Sequence, residues 1–267
     1  MRSRNNKRAP LTPQTEPEAV IEQLSRLVSF HELEDWQKDN HHIHTGYVRS
    51  SNSFKSVARS LFYLHNESVN IYTHLWPSVL SALFSLFLYD MYFPVYPKTV
   101  DADHYAFFVF ALSCVTCLGL SATFHLCKSH SRRIFAFGNK LDYLGICVLI
   151  GGSMVAILHF CLDDHQQLRM LFTLLTLAFG IGCACVSLID KFRTPPWRKF
   201  RARMFVSYGL TGLLPILTSF YFFGYEETWA RSGLKYMLWE AFFYIFGAAL
   251  YGTLFPERFF PGIAICL

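Results

Sequence analysis

Six long apolar runs constrain the fold of this chain more than any other feature of its sequence. Each run is close to the length of about 20 residues that an α-helix needs to cross roughly 30 Å of hydrocarbon. The connections between them are short, so successive helices are expected to pack as antiparallel neighbours. The pattern predicts an all-α, polytopic transmembrane helical bundle. Its six spans are expected at about residues 71–89, 105–126, 141–162, 168–189, 204–225 and 236–255.

The composition favours the same class of protein. Of the 267 residues, 52% are apolar and 17% aromatic, whereas only 16% are charged. An average soluble domain carries about 25% charged residues, so a soluble helical core is disfavoured. The eight cysteines do not indicate a disulfide framework, because most of them lie inside the apolar runs, where thiols behave as small hydrophobic groups. Packing is favoured over a redox or zinc role for the CxxC pair Cys114 and Cys117.

The sequence divides into two regions. Residues 1–40 are polar and are predicted to form a cytosolic tail that contains one short amphipathic helix, between Ala19 and Leu33. That helix would lie on the membrane surface or on a neighbouring loop. Residues 41–267 are predicted to form the transmembrane bundle.

The distribution of Lys and Arg predicts the orientation of the bundle. One set of segments carries 20 of the 24 basic residues: the part before the first run, the second and fourth connections, and Arg258. The positive-inside rule places these segments, and with them the amino terminus, in the cytosol. We therefore expect a multi-pass protein of the plasma membrane or endoplasmic reticulum. The net charge of +5 follows from this topology and calls for no nucleic-acid partner.

The stretch from Ser121 to Tyr143 is the first candidate for chemistry. Ser121 and His125 are four residues apart, which places them on one helix face, and Asp142 opens the next run. Because one run leaves the membrane where the next one enters it, these side chains are expected at the same depth. Neutral imidazole is a zinc ligand, and a carboxylate can hold a metal-bound water. A catalytic zinc needs about three protein ligands, however, so a structural histidine remains the alternative for His125.

Three further polar residues are expected near or inside the membrane. Glu67 and Asn70 lie just before the first run, on the side of Ser121 and His125, and a structural role is favoured over catalysis for both. Glu240 lies inside the sixth run. An intramembrane carboxylate is a functional candidate by default, and a packed hydrogen bond to a neighbouring Tyr or Ser is the alternative.

Five short motifs occur in an order that resembles a known family. They are Thr45–Arg49 (TGYVR), His65–His74 (HNESVNIYTH), Ser121–His125 (SATFH), Lys140–Ile146 (KLDYLGI) and Pro256–Gly262 (PERFFPG). The chain from about residue 30 onward is similar to the progestin and adipoQ receptor family. This family includes adiponectin receptors, haemolysin III-related proteins and fungal zinc-homeostasis-like membrane proteins.

The resemblance implies seven helices and a zinc ion bound near the cytosolic leaflet. His125 would be one metal ligand, Asp142 would hold the metal-bound water and Ser121 would line the site, the last two as catalytic residues. Two more histidine ligands, four residues apart, come from the seventh helix in this family. Its members are proposed to hydrolyse ceramide-like lipids, and some are receptors for secreted proteins.

The sequence departs from that pattern after Pro261-Gly262, where it reads Ile-Ala-Ile-Cys-Leu267. We therefore expect six of the seven spans and truncation before the seventh helix. The expected function is that of an adiponectin-receptor-like membrane protein in lipid and zinc homeostasis signalling, with a zinc-dependent, ceramidase-like hydrolase site that is incomplete here. The alternative is a non-enzymatic membrane receptor or assembly subunit. Expected partners are membrane lipids, a secreted protein ligand and a second copy of the chain.

Overall fold

The computed structural model describes residues 27–92 and 99–263, and most of them are helical. Two short strands, β1 (Leu27–Val28) and β2 (Tyr47–Val48), precede the helices. Single-turn 3₁₀ helices occupy Phe30–Glu32, Asp35–Gln37, Asp190–Arg193 and Pro195–Trp197. The α-helices are α1 (Phe54–Ser60), α2 (Ser68–Tyr92), α3 (Asp101–Cys127), α4 (Arg132–Leu162), α5 (Gln166–Leu188), α6 (Arg198–Leu210), α7 (Leu213–Ser232) and α8 (Leu234–Thr253).

The described residues contain five helical segments long and apolar enough to cross a membrane. They match the first five predicted runs and confirm the all-α, multi-pass transmembrane bundle. The sixth predicted run forms α8, whose 20 residues include Lys235 and Glu240 and which is not among these five segments. The five are Ser68–Met91, Asp101–Cys127, Arg132–Leu162, Gln166–Leu188 and Pro195–Ser232.

The fifth of these segments is interrupted near its middle. α6 ends at Leu210 and α7 begins at Leu213, with tight backbone hydrogen bonds from Thr211 to Tyr208 and from Gly212 to Gly209. Gly212 lies against the Met154 side chain, close enough that an added Cβ would meet it at 2.8 Å. The break therefore lets the chain pass close to α4 before the helix resumes.

A stripe of glycines sets the spacing of α3 and α4. Gly138, Gly145 and Gly152 recur every seven residues and so face one direction. A Cβ on Gly145 would lie 3.1 Å from the Cα of Cys117, and a Cβ on Gly152 would lie 2.1 Å from Ser113 Oγ. Small residues allow two membrane helices to approach this closely. The glycines thereby fix which residues of α3 lie level with which residues of α4.

Residues 27–53, which we call the cap, lie against one end of the bundle. Leu27 pairs with Val48 and Val28 with Tyr47 in an antiparallel ladder, over a small apolar core. The cap contacts several separate segments: its Trp36 ring packs on Phe135, its Asp39 pairs with Arg198, and its His42 carbonyl accepts from Gly262 N–H. Asn52 N–H also donates to the His130 carbonyl. The connections that carry most of the basic residues thus meet at one end, which we call the cap end.

The predicted amphipathic helix differs from what the described residues show. Residues 27–33 form a strand and a 3₁₀ turn instead of an α-helix, because Leu27 and Val28 pair with β2 and the Ser29 amide and hydroxyl both bond to Glu32. Residues 19–26 of that predicted helix, and the rest of the predicted tail up to residue 26, lie outside the described residues. The predicted boundary at residue 40 falls inside the cap. Residues 264–267, where the predicted truncation lies, are also outside the described part of the chain.

The α3–α4 contact generates a stability prediction. Replacing Gly152 with Ala places a Cβ within 2.5 Å of the Ser113 Cβ and 3.2 Å of the Val109 carbonyl, so overpacking should lower the free energy of unfolding by about 1–3 kcal/mol. Gly182→Ala is the matched control, because nothing lies within 4 Å of its Cβ. Thermal unfolding of both variants in detergent or nanodiscs measures the difference. Equal stability of the two variants would contradict the close packing.

Candidate functional site

Glu67 is the centre of a polar cluster at the cap end. It immediately precedes α2, and its side chain is only 10% exposed. Oε1 accepts hydrogen bonds from Lys128 Nζ at 2.6 Å and from Asn66 Nδ2 at 3.2 Å. Oε2 lies 2.7 Å from His125 Nδ1 and 2.9 Å from Asn70 Nδ2. Both carboxylate oxygens are therefore fully occupied by donors from α2, α3 and the residues beside them.

Charge compensation keeps this buried carboxylate ionised. Burial by itself would raise the pKa of Glu67, but the Lys128 ammonium and the hydrogen bonds from His125 and Lys128 outweigh it and hold that pKa well below its ordinary range. Burial likewise opposes the charge on Lys128, but the Glu67 and Asp39 carboxylates raise the pKa of Lys128. The two groups face each other as an ion pair that joins the start of α2 to the end of α3.

A second contact joins the same two helices inside the membrane segment. Ser121 is buried on α3, and its Oγ lies 2.7 Å from His74 Nδ1 on α2. The His74 and His125 rings meet edge to face, with centroids 6.0 Å apart. Ser121 and His125, one turn apart on α3, therefore each contact a polar side chain from the α2 side.

Asp142 lies opposite this pair on α4. Gly138 contacts Phe124 and Gly145 contacts Cys117, so a residue between these glycines lies level with Ser121. Asp142 is half-buried and close enough to His74 for an electrostatic interaction. The three residues predicted as a site are thus brought together around the α2–α3 contact. Their roles remain predictions.

Two members of the cluster were not predicted as parts of it. The sequence places Lys128 among the basic residues of the second connection and His74 at the end of the second motif, and it predicts no contact for either residue. The spacing of Glu67, Asn70 and His74 could have identified the second, because intervals of three and four residues place side chains on one helix face. No local pattern identifies Lys128 as the partner of Glu67, since 61 residues separate them. Glu240, the other intramembrane candidate, is exposed on α8.

The fit of this cluster to a zinc ion is partial. A carboxylate that bonds one ring nitrogen is the usual partner of a metal-ligating histidine, and the Glu67 contact leaves His125 Nε2 as the nitrogen for a metal. Residues 27–92 and 99–263 nevertheless contain no group of three His, Cys, Asp or Glu side chains that could hold a metal ion. Catalytic zinc needs about three protein ligands. The described residues therefore do not fit a complete zinc site.

Fold and cluster together define a multi-pass helical membrane protein with a buried, charged polar site at one end of its bundle. The family model described as haemolysin-III related matches residues 62–266, and the chain belongs to this family.

Several relatives support the same assignment. The ADIPOR-like receptor IZH2 of Saccharomyces cerevisiae is 46% identical over 240 residues, which cover 90% of this chain and 75% of that protein. The adiponectin receptor protein of Drosophila melanogaster is 33% identical over 243 residues, 91% of this chain and 54% of that protein. The progestin and adipoQ receptor-like protein 1 of Caenorhabditis elegans is 33% identical over 239 residues, 89% of this chain and 54% of that protein. The family expected from the five motifs is confirmed, and the chain spans about half the length of these two animal relatives.

Removing one member of the ion pair should cost more stability than removing both. Lys128→Met leaves the Glu67 carboxylate buried without its cation, and we expect a loss of about 3–5 kcal/mol in the free energy of unfolding. The double variant Glu67→Gln with Lys128→Met should recover part of this loss, because neither charge is then left unpaired. Denaturant unfolding in detergent measures both. Additive losses in the double variant would show that the two groups are not coupled.

The same pair predicts a dependence of stability on acid. The pKa of Glu67 is lowered in the folded protein, so its contribution is fully present above the ordinary pKa of 4.5 and is lost as pH falls toward the folded value. Below pH 4.5 we expect the free energy of unfolding of the native chain to fall more steeply than that of the double variant, by about 1.4 kcal/mol per pH unit for one proton. Unfolding curves collected across this range measure the two slopes. Parallel slopes would contradict an ionised Glu67.

Proposed function

We propose that this chain is a receptor-like membrane protein of lipid and zinc homeostasis signalling, and that the cluster around Glu67 is one part of a zinc-dependent, ceramidase-like hydrolase site. The receptor part of the proposal is supported by membership of the haemolysin-III related family and by the names of the similar yeast and animal proteins. The hydrolase part is supported by one observation above all, the 2.7 Å contact between Glu67 Oε2 and His125 Nδ1.

That contact gives His125 the properties of a metal ligand. Glu67 is ionised and can accept a hydrogen bond from Nδ1–H, and in the neutral tautomer that donates this bond the lone pair lies on Nε2. In this proposal Asp142 would hold a water molecule by a hydrogen bond, and Ser121 would line the site. The remaining ligands would have to come from outside residues 27–92 and 99–263.

A non-enzymatic receptor or assembly subunit is the second candidate. It is favoured by the way the polar side chains already satisfy one another: Glu67 with Lys128 and His125, and His74 with Ser121. In that role the cluster holds α2 against α3, and no metal is required. A secreted protein ligand and a second copy of the chain are the partners that this function would use.

Zinc content distinguishes the two candidates. We expect the purified chain in nanodiscs to hold less than one equivalent of zinc, because residues 27–92 and 99–263 contain one predicted ligand and no group of three His, Cys, Asp or Glu side chains that could hold a metal ion. Fusing a carboxy-terminal transmembrane helix with two histidines four residues apart should raise the content toward one equivalent. In that fusion His125→Ala should abolish the gain, whereas His31→Ala should keep it, because His31 is exposed on the cap. Elemental analysis by mass spectrometry measures all four samples.

Cleavage of a long-chain ceramide by the fused protein provides the second readout. Product that depends on His125 would support the hydrolase site. If zinc is absent from both the chain and the fusion, the metal assignment is wrong. Zinc binding without His125-dependent product would leave the receptor as the better description.

A further inference from the structure

We propose that the connection between α5 and α6 is a docking surface for the anionic headgroups of phospholipids in the adjoining leaflet. This connection, together with the start of α6, covers residues 189–203 and is called the basic connection below. The proposal goes beyond the function proposed above, since it requires neither zinc nor hydrolysis. The connection contains six basic residues, Lys191, Arg193, Arg198, Lys199, Arg201 and Arg203.

Two of its arginines are buried and serve the fold. The Arg201 side chain donates from Nη1 to the carbonyls of Phe192 and Thr194, at 2.7 and 2.8 Å, which closes the connection on itself. Arg198 is paired with Asp39 of the cap at 2.6 Å. Both residues are at least nine-tenths buried, so neither can face a lipid headgroup.

A third arginine neutralises the acid of the connection. Arg193 donates to Asn139 Oδ1 and to the Ala136 carbonyl, both at 3.1 Å, and pairs with Asp190. Asp190 also lies 3.3 Å from Lys140 Nζ. Asp190 is the only acid in residues 189–203, and these contacts leave it no excess negative charge.

The other three cations, Lys191, Lys199 and Arg203, are exposed. Lys199 and Arg203 are four residues apart on α6 and therefore share a face, and the Lys191 ammonium lies 5.2 Å from the centre of the Trp197 ring. Within residues 27–92 and 99–263, none of the three takes part in an ion pair. They are the cations of the basic connection that no acidic side chain of the described residues neutralises.

Aromatic side chains lie between these cations. Phe192, Trp197 and Phe200 contact one another, with ring centroids 4.7–5.5 Å apart. Basic residues interleaved with aromatic rings at the end of a spanning segment match the membrane interface, where rings lie at headgroup depth and cations attract anionic lipid. The first turn of α6 contains no acidic residue, so its backbone N–H groups add positive potential.

Four other acids at the cap end do not cancel this charge, because each has a cation of its own: Glu32 with Arg49, Asp35 with Lys38, Asp39 with Arg198 and Glu67 with Lys128. Glu34 and Glu257 form no ion pair within the described residues, and the exposed cations Lys55, Arg59 and Arg132 at the same end outnumber these two acids. The exposed cations therefore have complementary charge outside the protein, in the phosphate layer of the leaflet that the basic connection borders. This complementarity identifies anionic phospholipid as the occupant.

The test compares binding of anionic lipid by matched charge variants. The full chain is reconstituted in nanodiscs of phosphatidylcholine alone, or of phosphatidylcholine with phosphatidylserine or a phosphoinositide. Retained lipid is counted by native mass spectrometry, and the thermal unfolding midpoint is measured in parallel. Anionic lipid should raise the midpoint of the native chain. The variant Lys191→Gln, Lys199→Gln, Arg203→Gln should bind it about a hundredfold more weakly, since each basic residue near the surface contributes about a fivefold effect.

Two controls separate this surface from general charge and from side-chain packing. The variant Lys55→Gln, Arg59→Gln, Arg132→Gln removes three exposed cations from the same end and should keep most of the binding. The variant Lys191→Arg, Lys199→Arg, Arg203→Lys preserves the charge and should behave as the native chain. The proposal would be overturned if the two Gln variants lost equal amounts of anionic-lipid binding, or if anionic lipid left the unfolding midpoint of the native chain unchanged. It would also be overturned if inorganic phosphate raised that midpoint equally in neutral nanodiscs.

Discussion

The ion pair between Glu67 and Lys128 is the interaction on which the rest of the polar site depends. A carboxylate with a side chain only 10% exposed can stay charged only if donors replace the water it has lost. Lys128, His125 and the two asparagines supply those donors. The two asparagines lie at the start of α2, whereas His125 and Lys128 lie at the end of α3. The hydrogen bonds to the one carboxylate of Glu67 therefore hold the start of α2 against the end of α3. The orientation of His125 follows from the same requirement.

The glycine stripe of α4 is a second constraint, and it acts independently of charge. Close contact at Gly138, Gly145 and Gly152 leaves little freedom for α4 to slide along α3. Asp142 is therefore held level with Ser121 by packing, whereas His125 is held by its hydrogen bond to Glu67. Both close packing and polar contacts are expected between the helices of a membrane protein. The hydrophobic effect does not drive helices together in lipid, so small residues that pack closely and polar side chains that bond across helices stabilise the association instead.

Much of the fold could be predicted from the sequence because the membrane imposes a simple rule. A helix needs about 20 mostly apolar residues to cross the hydrocarbon core of a membrane. Five of the predicted apolar runs match helices of spanning length in the described residues. The shared depth of Ser121, His125 and Asp142 followed from the same rule, since each lies where one run ends or the next begins. The features that were missed depend on tertiary contacts. β1 forms from residues that read as helical because β2, about 20 residues further on, supplies its partner. The junction of α6 and α7 is a turn with hydrogen bonds between residues three apart, and Gly212 in this turn lies against Met154 of α4.

The cations at the cap end fall into two groups, buried ones that pair with protein groups and exposed ones that face the surroundings of the protein. The buried cations Lys128, Arg198 and Arg201 are each satisfied by protein groups: Glu67 for the first, Asp39 for the second, backbone carbonyls for the third. Exposed cations such as Lys199 and Arg203 have no ion-pair partner in the part of the chain that the structure describes. A buried charge must be compensated within the fold, because the cost of leaving it unpaired is several kcal/mol, whereas an exposed charge is compensated by water, salt or lipid at little cost. The buried cations therefore fix the geometry of the candidate site. The exposed cations are available to bind a partner without disturbing that geometry.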